Sequence, residues 1–162
     1  MTYRSTTPRI GHPPITQIDT SAQVPVGTII AAHDPDNGDA EFIYLQGVAT
    51  TTAGLVVEYT SSFQTALASI AVGQAQPLAV AMAACTASYY GWYQIAGLAS
   101  VSKASATSFA ADAAVGATSG EAVAAATGLF MHGAQVANAA SGASAVLTVD
   151  VMINRPTGPG AT

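Results

Sequence analysis

Residues 145–154 read AVLTVDVMIN, and the stretch alternates strictly. Leu147, Val149, Val151 and Ile153 fall on one side, and Thr148, Asp150 and Met152 on the other. A sustained period of two is the signature of a strand with one face buried, because successive side chains of an extended backbone point to opposite faces. The apolar residues 147, 149, 151 and 153 keep the two-residue period through the whole stretch, which a helical stripe at three and four would not give. The chain therefore ends its apolar body in a β-strand, and the question becomes whether the preceding segments join it in sheets.

They do so at turn-bounded intervals. EFIYLQGV (41–48) puts Phe42, Tyr44 and Gln46 on one face and Ile43 and Leu45 on the other. VPVGTIIAA (24–32) precedes it and is rich in β-branched residues. Between them lies HDPDNGD (33–39), whose Asn37-Gly38 dipeptide suits a tight hairpin turn. LVVEY (55–59), PLAVAMAAC (77–85) and the aromatic YYGWYQIAG (89–97) read as further strands. Gln64–Val72 reads equally as a short helix or a strand. Residues 102–145 are rich in Ala, which favours helix, yet five glycines interrupt them and no apolar stripe persists. Short strands and loops are expected there, with one helical turn fitting Ala122–Thr127. Six or more short strands predict an all-β, or mainly β, domain: a small barrel or sandwich.

Residues 1–23 differ in kind. They carry Pro8, Pro13, Pro14, Arg4 and Arg9 and no regular period, which predicts an extended N-terminal arm. The β-rich body is expected over 24–156 and a short tail over 157–162.

Composition limits the function. The 162 residues include 35 alanines, and only 8% are charged, for a net charge of −5. Typical soluble domains hold about 25% charged residues, so a surface this poor in charge suits one largely covered by other protein. One lysine and three arginines cannot form a basic stripe, so nucleic acid is not an expected partner. No apolar run predicts a membrane span, and the first residues lack the pattern of a signal peptide. The nine acids and Lys103 lie within residues 19–150, giving that span −8, while Arg4, Arg9 and Arg155 lie outside it. An acidic body with positive extremities suits termini that contact an acidic partner surface.

Motifs for chemistry are missing. In the acid-rich turn, counting from Asp34 puts glycine at the fifth position and Leu45 at the twelfth, which fails the calcium-loop pattern. His12, His33 and His132 have no metal-ligand spacing. There is no nucleophile elbow and no phosphate-binding glycine loop, and Lys103 has no such loop before it. Cys85 reads as a small buried hydrophobe. No catalytic residue, metal site or cofactor is expected. The aromatic group Tyr89, Tyr90, Trp92 and Tyr93 divides by alternation between two faces, one set for the core and one for a subunit interface. A carbohydrate platform is the rival use of the same rings.

GDAEFIYLQGVA (38–49), LVVEY, AVAMAAC (79–85) and YYGWYQIAGLA (89–99), followed by an Ala/Gly/Thr-rich region and a terminal strand ending at Asn154-Arg155-Pro156, resemble small virion proteins of tailed bacteriophages and prophages. The resemblance spans about residues 24–156, is sharpest over Tyr90–Ile95 and does not reach the arm. Those proteins are capsid decoration, or cement, proteins. The resemblance implies a β-rich body, a homotrimer on the virion's capsid surface, the major capsid protein as partner, and no catalysis. Arg4, Arg9 and Arg155 are the expected capsid contacts. A carbohydrate- or cell-surface-binding virion module and a tail or head-completion protein are the alternatives.

Overall fold

A computed structural model describes residues 4–5, 12–47, 51–71, 73–142 and 147–160. The regular elements among them are all strands: β1 (Arg4–Ser5), β2 (Ile29–Asp34), β3 (Gly38–Gln46), β4 (Val56–Tyr59), β5 (Thr65–Leu67), β6 (Leu78–Ala81), β7 (Tyr90–Ser102), β8 (Val115–Thr118), β9 (Glu121–Ala124), β10 (His132–Val136) and β11 (Thr148–Thr157). The chain is all-β. Every strand ladder is antiparallel, as expected where short turns join successive strands.

The organising strand is β7. Its 13 residues serve three neighbours. Ala96 pairs with Glu41 of β3 and with Asn154 of β11, so those two strands flank opposite edges. β6 pairs with Gln94 and Tyr93, and β4 and β5 continue outward from it in the order β7-β6-β4-β5. On the other side the order is β7-β3-β2-β1, and β10 lies on β11. The sheet curls until Gln46, at the end of β3, meets Gln64 through a single parallel bridge, reinforced by the Gln46 amide donating to Phe63 O at 3.0 Å. One bridge is not a ladder, and no ladder among the described residues closes a barrel.

Burial explains the patterns. Phe42, Tyr44 and Trp92 pack with Ile15, Ile30, Ala32 and Ala40 on one face. Ile43, Leu45, Tyr93 and Ile95 pack with Val57, Ala79 and Ala81 on the other. Both faces of β3 and of the first half of β7 are thus covered, which is why residues 42–45 are apolar without interruption and Gln94 is buried. The second half of β7 and β11 bury Ala99, Val101, Val149, Val151 and Ile153 in a third cluster with β8, β9 and β10. Here the opposite face remains open, and alternation is clean.

Some expectations need correction and others hold. The strand expected at 24–32 begins only at Ile29, because Gly27, at φ 82°, sits in a turn. Leu147 does not join the buried face of the last strand; it is 65% exposed and precedes β11. Ala122 lies in strand β9, not in a helical turn. Within Gln64–Val72, open between helix and strand from its sequence, Thr65–Leu67 form strand β5, and Val72 lies outside the described residues. The Asn37-Gly38 hairpin forms between β2 and β3, with Gly38 at φ 78°.

Candidate interaction surface

The segment read as an arm is tied to the body at two described places: Arg4–Ser5 form β1 on the edge of β2, and residues 12–19 lie against the core. Pro13, Ile15 and Asp19 are buried. Trp92 Nε1 donates to Pro13 O at 3.1 Å, and Tyr44 OH donates to Asp19 Oδ2 at 2.7 Å. The backbones of Asp19 and Tyr90 exchange hydrogen bonds of 2.9 and 2.8 Å, and Gln17 Nε2 donates to Asp19 Oδ1 at 2.6 Å. The His12 ring stands edge-on to Trp92, with centroids 6.2 Å apart. A large aromatic with a polar edge is buried most cheaply when that edge finds a partner. The strap supplies one for Trp92 and one for Tyr44. Burial, and then the neighbouring Asp19, pushes the Tyr44 hydroxyl well above the ordinary phenol range.

The aromatics therefore serve different ends. Trp92 and Tyr93 are each 1% exposed and belong to opposite core clusters. Tyr90 is half-buried and stacks on Tyr44, 6.2 Å between centroids. Tyr89 precedes β7 and is exposed. Burial, with Cys85 beside it, also holds the Tyr93 hydroxyl above its usual range. Burial likewise raises the Cys85 thiol, more than Tyr93 and the Gly47 backbone lower it. A thiol kept protonated inside an apolar wall is a poor nucleophile.

The three arginines stand as follows. Arg9 lies outside the described residues. Arg4 pairs across β1–β2 with His33, and His33 pairs across the hairpin with Asp39. His33 Nδ1 donates to Asp39 Oδ1 at 2.8 Å. Asp39 in turn borders an open groove of ≈ 580 Å³ lined by Ala31, Ala40, Glu41, Ala96 and Arg155. Arg155 donates from Nη2 and Nε to Glu41 Oε2 at 2.8 and 3.2 Å. The fold thus brings Glu41 and Arg155, 114 residues apart in sequence, to one alanine-floored groove, while Arg4 pairs two strands away from Asp39, opposite His33. Arg155 has a left-handed φ of 46°, and across the ladder Gly97 has φ 98° where β3 and β7 shift register. A Cβ at Gly97 would stand 2.5 Å from Asp39 O, so only glycine lets the strands approach so closely. Farther along β11, Met152 is 50% exposed opposite Leu98.

Sequence reasoning missed Lys103, which proves to be buried. Among the described residues no group of His, Cys, Asp and Glu could hold a metal ion. Asp34, in the turn, accepts from the Asp36 and Asn37 amides at 3.0 Å each and from Asn37 Nδ2 at 2.8 Å, an arrangement that shapes the hairpin. No protein-family model matches the chain, and neither does any curated protein.

Proposed function

We propose that this protein is a structural subunit of a tailed-phage virion: a decoration protein that sits as a trimer on the capsid surface and braces neighbouring major capsid proteins. The observation that carries the reading is where the resembling residues lie. The stretches 41–46 and 90–96 pair with each other, Tyr44 opposite Trp92 and Ile43 opposite Tyr93, and make the centre of the sheet. The resemblance thus rests on the packed centre of the fold, and the rolled sheet would be the small barrel-like body. The half-exposed Met152, the exposed Leu147 and the charge-poor surface supply apolar area for burial against neighbours. The groove bordered by Asp39, Glu41 and Arg155 supplies polar contacts at its rim.

The burial of Trp92 and Tyr93 removes them from any carbohydrate platform and favours the structural reading over the glycan-binding one. The test is co-expression with the major capsid protein of the phage or prophage that encodes the chain, followed by sedimentation and cryo-EM of the shells. Regularly spaced trimeric density on the outer surface is expected. Shells that leave the protein in the supernatant would overturn the proposal, and so would density confined to the tail.

A further inference from the structure

Lys103 is the only lysine of the chain, and it is 3% exposed. Among the described residues its Nζ meets no hydrogen-bond acceptor. It directly follows β7 and continues the side taken by Ala99 and Val101, which face the cluster shared with β8 and β9. Its backbone is tied on two sides: the amide donates to Leu147 O at 2.9 Å, and a parallel bridge joins it to Ala122 of β9. An ammonium group brings three donors, and a buried donor without an acceptor keeps the full cost of its lost hydration.

The β8–β9 pair lies beside it, joined at Ala122. β8 and β9 form a separate two-stranded sheet. They reach the rest of the molecule through isolated hydrogen bonds rather than a ladder. Val56 donates to Gly120 O and Gly120 to Ala68 O, each at 2.8 Å; Ile70 donates to Ala117 O at 2.9 Å, and Ala104 to Ala122 O at 3.0 Å. The buried apolar side chains they contribute are small: Val115, Ala117 and Ala122. A two-stranded hairpin has little stability of its own. Segments with few apolar contacts open below the free energy of global unfolding.

We infer that the β8–β9 hairpin is a flap that parts from the main sheet as a unit, and that the buried Lys103 amine, without an acceptor among the described residues, sets how often it opens. The inference rests on the fold and holds whether or not the protein decorates a shell.

Because the chain has one side-chain amine, the opening can be read directly. The intact protein is acylated with sulfosuccinimidyl acetate at neutral pH and followed by mass spectrometry, with amide hydrogen exchange measured in parallel. Protection is taken as the rate in the unfolded chain divided by that in the folded protein. Lys103 and the amides of residues 115–124 should share a protection at least about ten-fold smaller than that of the β3 and β7 amides. Lys103→Met, which keeps the stem and removes the charge, should raise protection over 115–124 by about ten-fold or more. Lys103 protection equal to that of β7 would overturn the inference, as would a K103M variant whose flap amides exchange at the same rate or faster.

Discussion

At the residue scale the molecule depends on a few polar atoms in apolar places. Trp92 fills the cluster beneath the N-terminal strap and donates to Pro13 O. Trp92→Ala should cost about 3–5 kcal/mol, the range for truncating a buried aromatic, measured by urea unfolding. Tyr44→Phe removes only the hydroxyl and leaves the buried Asp19 short of a donor; a loss of about 1–3 kcal/mol is expected in the same assay. Lys103→Met should act in the opposite direction, raising stability by about 1–3 kcal/mol through a higher denaturation midpoint at unchanged slope. The Arg155–Glu41 pair is solvent-exposed on both sides, so Arg155→Ala should change stability by less than about 1 kcal/mol. If the groove meets the shell, the same variant weakens shell binding without weakening the fold.

At the element scale, the strands that sequence made plain are those whose faces are buried on one or both sides. Val149, Val151 and Ile153 alternate because one face of β11 is covered, and 42–45 are continuously apolar because both faces of β3 are. β8, β9 and β10 were not legible individually. VGAT, EAVA and HGAQV have no period, and alanine favours helix by itself. Their strand state comes from partners elsewhere in the chain: β10 takes its register from β11, and β9 is held by residue 103. Gly97 is the element-scale weak point. Gly97→Ala demands a left-handed φ and a clash with Asp39 O, so it should cost more than about 1 kcal/mol and loosen the β3–β7 ladder, visible as faster amide exchange at residues 39–42. The strap refines the truncation experiment. Deleting residues 1–11 removes β1 and leaves the Trp92 and Tyr44 partners in place. Deleting 1–20 also removes Pro13, Ile15 and Asp19 and should destabilise the body. Only the shorter deletion tests attachment cleanly.

At the scale of the whole molecule, buried hydroxyls and a buried thiol set the response to alkali. Tyr44 and Tyr93 hold their protons more firmly in the fold than in the unfolded chain, chiefly through burial, and Cys85 and Tyr59 do so to a lesser degree. Groups raised in this way contribute their stability in full below their unfolded pKa values and lose it as pH rises through the folded ones. Those unfolded values are about 8.5 for Cys and about 10 for Tyr. The melting temperature should therefore fall from about pH 9 upward and more steeply beyond about pH 10. Cys85→Ala should remove the first part of that fall. A melting temperature that holds steady to about pH 11 would contradict the burial of these groups.

The β character, the hairpin at Asn37-Gly38, the two-faced division of Tyr90–Ile95 and the scarcity of charge all follow from local rules: side-chain alternation, turn chemistry and composition. Tertiary structure alone decided that residues 12–19 would seal Trp92, that Arg155 would reach Glu41, and that Lys103 would be enclosed. Each of these joins residues far apart in the chain. No local pattern encodes such a meeting, because it depends on how strands order themselves around β7 and how far the sheet curls.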